Sequence, residues 1–216
     1  MSIDDYYYDQ GYDEWLDSLY RDFAKEVLAG NYDLYDEVIS RFTSDRLQSY
    51  YVANPKIAER ALWALDKAKG FLRSDADAAL VFAVTAAEVG LKSCLLKPIL
   101  HGLVHDEAMA VVITELMPEQ RNDKFQNLLF KILKQYGGFD LRTYKRSGVN
   151  ITLWEEMQEI QKLRNSVVHR AEIINLDDAK KAAIIASLVV EELFPSVIAK
   201  LGLGTNDRME VSIKRR

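Results

Sequence analysis

The residues best suited to chemistry in this 216-residue chain lie in one short run, Leu163-Arg164-Asn165-Ser166-Val167-Val168-His169-Arg170. Histidine changes charge nearest neutral pH, so His169 could take a proton from a ribose 2′-hydroxyl or return one to a leaving oxygen. Arg164 is always charged and offers a planar fork of donors to a phosphate. Attack by the 2′-OH on the adjacent phosphate needs no outside nucleophile. A base, an acid and charge stabilisation suffice, so RNA could be cut without a metal. Five residues separate Arg164 from His169, about 140° of rotation on an ideal helix. For both to reach one cleft, the helix is expected to bend or end between them. Asn165 and Ser166 favour such a break, because their side chains compete for backbone hydrogen bonds. A plainer reading stays open: a histidine near a helix end can satisfy the last carbonyls, and an arginine can pair with a carboxylate.

A second pair, Glu88 and Lys92, is one helical turn apart and supplies the only charges between Ala78 and Leu96. A solvated i, i+4 bridge fits poorly among such apolar neighbours. A charged pair in a mostly buried helix is costly unless it is fully partnered or faces a cleft. A cleft shared with Arg164 and His169 would explain it, as would a structural ion pair. Arg142, Lys145, Arg146 and Arg170 are candidates for gripping an RNA backbone, although the first three also fit a solvated loop. His101 and His105 have a spacing that could bind a metal on a helix, but no cysteines cluster nearby and Gly102 weakens the helix, so no metal site is expected. No cofactor is expected either. The lone cysteine, Cys94, sits in an apolar run and reads as a buried, inert thiol.

Helical patterns account for most of the chain. Trp15, Leu19, Phe23 and Val27 mark one helix from about Tyr12 to Leu28, and a second amphipathic stretch runs from about Leu34 to Tyr51. Asn54-Pro55 reads as a cap with proline in the first turn of a helix to about Arg73. Ser74 is expected to cap a central, buried helix that ends near Lys97, before Pro98. Two shorter helices are expected over Asp106–Leu116 and Pro118–Tyr136, the second closed by Gly137-Gly138. Residues 139–150 read as a basic loop. A helix starts near Thr152 and turns Trp154, Met157, Ile160 and Leu163 inward, and the last long one runs from about Asp177 to Leu201. Gly202 and Gly204 read as its stop. The tail beyond Asp207 is expected to be mobile, with a weak strand-like alternation over Met209–Ile213. The fold class is all-α.

Composition sets the outer limits. An apolar share of 49% lets a chain of this length bury a core without staples, and a single cysteine forms no internal disulfide. The first residues lack the basic start and apolar run of a signal peptide. Glu88 and Lys92 make the most apolar stretch a poor membrane span, so a cytoplasmic protein is expected. Residues 1–50 hold 12 Asp/Glu against 4 Lys/Arg, so the net charge of −5 leaves 51–216 slightly basic. An acidic, Tyr-rich N-terminal region followed by a mildly basic body is compatible with a phosphate backbone as partner.

The run Arg164-Asn165-x3-His169 resembles the HEPN superfamily, all-α domains marked by an Arg-x4–6-His motif that often has Asn directly after the Arg. Glu88-Val89-Gly90-Leu91-Lys92 is similar to the Glu-x3-Lys motif that some HEPN nucleases carry on an earlier helix. The resemblance covers roughly residues 55–200 and leaves 1–54 without a counterpart. It implies three parts: an acidic helical extension over 1–54, a HEPN-like helical bundle over 55–204, and a mobile basic tail over 205–216. It further implies a homodimeric, metal-independent endoribonuclease that leaves a 2′,3′-cyclic phosphate, in a toxin–antitoxin or antiviral-defence setting with an antitoxin or defence partner protein. His169 would be the general acid/base and Arg164 the phosphate clamp. Asn165 would orient the motif, while Glu88 and Lys92 organise the cleft. The alternative is a catalytically silent HEPN-like scaffold that binds RNA, a nucleotide or a protein. A helical interaction protein that works through its acidic first 50 residues is a third reading. Some HEPN toxins carry a tyrosine two residues after the histidine, which a partner modifies with AMP. Ala171 stands there instead.

Overall fold

The computed structural model describes residues 44–104, 130–131 and 133–213. Two compact units divide the chain, Met1–Thr43 and Ser44–Arg216, and the first lies outside the described residues. So do the helices expected over 12–28 and 106–116, and most of that over 118–136. The second unit starts eleven residues before the expected boundary at 54/55, because helix α1 (44–53) belongs to the core: Leu47 and Tyr51, one turn apart, are fully buried.

Asn54 closes α1 instead of capping the next helix. Its side-chain amide donates to the Tyr50 carbonyl at 2.9 Å, and its backbone N–H is shared between the Tyr50 and Tyr51 carbonyls. With that side chain engaged, helix α2 (Glu59–Phe71) begins only after the turn at 55–58, on Ala58, without a side-chain cap. It buries Ala61, Ala64, Leu65 and Ala68 and ends before Arg73, where the Ser74 and Asp75 N–H groups fold back onto the Phe71 carbonyl. Asp75, not Ser74, then caps α3, its carboxylate accepting the Ala78 N–H at 2.9 Å.

Helix α3 begins as Ala76–Val89, widens into π-type turns over Gly90–Leu96 and continues as Lys97–Val104. It does not stop before Pro98 as expected. In the wide turn the Lys97 N–H reaches five residues back to the Lys92 carbonyl. Pro98 brings no N–H to the Cys94 carbonyl, and the buried Tyr51 phenol donates to that oxygen at 2.7 Å. The last helix, α5, repeats the arrangement: Leu176–Ser187, wide turns over Leu188–Leu193, then Phe194–Lys200 with Pro195 inside. The two wide turns meet at Gly90, where a Cβ would lie 3.0 Å from Val189 Cγ1 and 3.1 Å from Val190 Cγ2. Only a glycine admits that approach without a shift.

Helix α4 (Leu153–Arg170) starts on a capping box, with Thr152 accepting the Glu155 N–H while the Glu155 carboxylate takes the Thr152 N–H. Trp154, Met157, Ile160 and Leu163 turn toward the core, as their spacing predicts. Helix α3 packs against α2, α4 and α5 and is the central element. By length and composition alone Ala76–Gly102 and Leu176–Lys200 could each cross a bilayer, but in the fold both are mostly buried against other helices. Gly202, at φ +73°, ends α5. Beyond it the chain does not run on as a free tail. Strands β1 (Leu203–Thr205) and β2 (Val211–Ile213) pair antiparallel, with Leu203 opposite Ile213 and Thr205 opposite Val211. Asn206 turns the hairpin by accepting the Arg208 and Glu210 N–H groups. Leu203 and Val211 are buried, and the Val211 N–H donates to the Pro55 carbonyl at 2.8 Å. The weak alternation over Met209–Ile213 therefore reports a real strand. With this hairpin as the only sheet among the described residues, the fold is all-α.

Candidate functional site

Arg164, Asn165 and His169 lie on α4, and Glu88 lies where α3 begins to widen. Glu88 and Arg164 come together: Arg164 Nη2 stands 3.6 Å from Glu88 Oε2, both side chains roughly three-quarters covered. Gln161, one turn before Arg164 on the same face, donates to Glu88 Oε1 at 3.0 Å. Arg164 Nη1 also donates to Asn165 Oδ1 at 3.0 Å. Asn165 thus braces the guanidinium, and its side chain leaves the helix backbone alone.

That bond explains a difference from the expected geometry. Helix α4 neither bends nor ends between Arg164 and His169; it runs on to Arg170 and stops at Ala171, which takes the left-handed conformation at φ 52°. Ser166 does not break it either. Ser166 is buried, its hydroxyl accepts from Arg170 Nη2 at 2.6 Å, and its carbonyl accepts the Ala171 and Glu172 N–H groups at the helix end. An unbroken helix leaves Arg164 and His169 about 140° apart around the axis. Arg164 faces α3, whereas His169 is exposed and makes no hydrogen bond or ion pair among the described residues. One chain does not bring the two into a single cleft.

Lys92 does not complete a pair with Glu88. It lies in the wide turn, where four residues no longer return the chain to the same face. Glu88 is instead matched to Arg164, and Lys92 is half-buried.

The four candidate backbone cations divide by role. Arg146 is engaged from both edges by Glu156, Nε to Oε2 at 2.8 Å and Nη2 to Oε1 at 2.5 Å, and Glu156 has no exposed surface. The hydrogen bonds that Arg146 donates to Glu156 raise its pKa further, and this mostly covered cation pins the 139–150 loop to the first turn of α4. Lys145 is exposed and donates to the Asn150 carbonyl at 2.6 Å. The exposed Arg142 has its guanidinium 5.4 Å from the Phe130 ring centroid. Arg170, largely exposed, holds Ser166 and pairs with Glu172 at 3.1 Å.

Cys94 is buried and reduced, and burial pushes its thiol up to about 12. Among the described residues, no three His, Cys, Asp or Glu side chains gather where a metal ion could be held. His101 packs on Tyr50 at a ring separation of 4.8 Å with its Nδ1 buried and unpartnered, and His105 lies outside the described residues.

Gln161 was not among the expected site residues, and Ser166 was expected only as a helix breaker. Gln161 could have been found from its spacing to Arg164, since i and i+3 share a face toward Glu88. Ser166 carried no such signal, because its burial depends on how α4 packs. Compared with family models, with curated proteins and with solved structures, the chain matches none.

Proposed function

We propose that this chain is a HEPN-like, metal-independent endoribonuclease that works as a homodimer. The observation that carries the reading is the Glu88–Arg164 contact. Two segments 76 residues apart, each resembling a motif of the same superfamily, meet side chain to side chain. In the proposed reaction His169 takes the proton of a ribose 2′-OH as that oxygen attacks the adjacent phosphorus. The P–O5′ bond breaks, the departing oxygen receives a proton from the second histidine of the dimer, and a 2′,3′-cyclic phosphate remains. Arg164, steadied by Asn165 and Glu88, stabilises the charge that builds on the phosphoryl oxygens. Arg142, Lys145 and Arg170 supply cations for the backbone; Arg146 does not. Lys92 has no assigned step. A toxin or defence setting in the cytoplasm, with a cognate partner protein, is consistent with this chemistry.

The separation of Arg164 from His169 on an unbroken helix is why a second copy is needed. Within seven residues of His169 along the chain, Val168, Ile173 and Leu176 are between 43% and 89% exposed and offer apolar surface for that copy. The same separation favours one rival, a silent scaffold that binds RNA without cutting it. Purified full-length protein and its His169→Ala variant, incubated with mixed RNA in EDTA, decide between them. Cleavage by the wild type alone, ending in 2′,3′-cyclic phosphates and with specific activity rising with protein concentration, is expected. RNA binding without cleavage would support the scaffold, and cleavage abolished by EDTA would refute the chemistry.

A further inference from the structure

Helix α2 carries an aromatic side chain where a core does not explain it. Trp63 is 55% exposed, although tryptophan is seldom left so open on a helix with a well-filled core. Its ring meets Phe82 of α3 edge-on at 5.6 Å, and Phe82 stacks on Phe71 at 5.6 Å with the rings 14° apart. These rings form a ledge whose outer member faces water. Arg60 and Lys67, three residues before and four after Trp63, flank it on one side of α2, and the Lys67 ammonium stands 6.0 Å from the indole centroid. Arg60 makes no ion pair among the described residues, and neither does Lys67. Glu59 and Asp66 border the other side, so the ledge is basic along one edge only.

An exposed ring beside unpaired cations suits a ligand that alternates flat apolar faces with negative charge. Single-stranded RNA has that alternation: each base offers a π-face and each linkage a phosphate. A duplex hides its faces in the stack. The ledge also has a path to the site. Phe82 and Glu88 lie six residues apart on α3, about 9 Å along the axis and about 120° around it, and the half-buried Thr85 lies between them. We propose that Trp63, with Arg60 and Lys67, is a stacking site for single-stranded RNA that holds a strand on α3 as it runs to Arg164. This rests on the RNA-cleaving reading for its direction, not for its affinity.

Binding is therefore measured apart from cleavage, in full-length His169→Ala protein, by fluorescence anisotropy of a short labelled oligouridylate. Adding Trp63→Ala is expected to weaken binding about tenfold or more, while Trp63→Phe, which keeps a ring, stays within about threefold. Lys67→Glu should weaken it too and flatten the salt dependence. Circular dichroism melts matching the parent's separate these effects from misfolding, and Lys67→Glu leaves the ring packing alone. Unchanged affinity on Trp63→Ala overturns the proposal, as does equal or tighter binding of a duplex of the same length. If Trp63→Ala spares RNA binding but abolishes self-association in sedimentation, the ledge is a protein interface and the proposal falls. Trp63-dependent binding with no cleavage by the wild type upholds the ledge and removes the nuclease. Cleavage with Trp63-independent binding does the reverse.

Discussion

Replacing Arg146 by methionine is expected to destabilise the fold by roughly 3–5 kcal/mol, the cost of stranding a buried charge. The size follows from the position of Glu156. It has no exposed surface, and both of its carboxylate oxygens are taken by the Arg146 fork, itself only 19% exposed. A solvated surface pair would cost no more than about 1 kcal/mol to break, so the two cases are well separated. For a unit of this size the loss corresponds to a fall in Tm of roughly 6–20 °C, at about 2–4 °C per kcal/mol. Thermal and urea melts followed by far-ultraviolet circular dichroism read it directly. The paired replacement Arg146→Met/Glu156→Leu removes both charges and should return stability to within ~1 kcal/mol of the wild type, or above it. Arg146→Lys keeps the charge but loses the fork, and should fall between. A single variant melting within ~2 °C of the wild type would refute the reasoning, because the carboxylate would then have water or another partner. The same experiment tests the role assigned to Arg146: a cation that holds the loop changes stability first, and any RNA affinity of the proposed nuclease only through Arg142 and Lys145.

Two further outcomes follow from the wide turn of α3. Tyr51→Phe removes the donor to the Cys94 carbonyl and is expected to cost about 1–3 kcal/mol in urea melts, whereas a cost near zero would mean that carbonyl is satisfied elsewhere. Cys94 should resist a thiol reagent in the native protein at mildly alkaline pH and react once denaturant is added. Its folded pKa is raised by burial from 9.0 to about 12. The stability it contributes is therefore complete well below pH 9.0 and declines as pH rises toward 12, a decline that Cys94→Ala should lessen while the buried Tyr51 phenol, also raised by burial, keeps its own share.

The fold class was legible because helices announce themselves by period, and the stripe Trp154/Met157/Ile160/Leu163 does face the core. Boundaries were less legible wherever one side chain had two possible uses. Asn54 could cap forward or close backward, and the Tyr50 carbonyl settled it. Ser74 and Asp75 are both good caps, and only the chain's turn on Phe71 selects the second. Pro98 looked like an end because proline lacks an N–H; what lets α3 continue is a wide turn and a phenol from 43 residues earlier, neither visible locally. The hairpin was faint for the same reason. Two three-residue strands gain little by themselves, and their stability comes from burying Leu203 and Val211 on the helical body.

The candidate site shows the sharper limit of spacing arguments. Spacing correctly said that Arg164 and His169 do not share a helical face, and the expected remedy was a break between them. The break was inferred from Asn165 and Ser166 as competitors for the backbone, but both have better partners: Asn165 takes the Arg164 guanidinium, and Ser166 takes Arg170. A competitor that is already occupied does not compete, so α4 runs on unbroken, and in the proposed homodimer it is the second copy that brings the two residues to one cleft. In the proposed mechanism Arg164 is already held by Glu88 and Asn165 when RNA binds, so a phosphate must share or displace a carboxylate to reach it. A clamp held in that way is preorganised but partly neutralised. Its strength toward a phosphate then depends on how far Glu88 stays with Gln161 while Arg164 turns to the substrate, and for that reason Glu88 belongs to the site although it contacts no reacting atom in the proposed reaction.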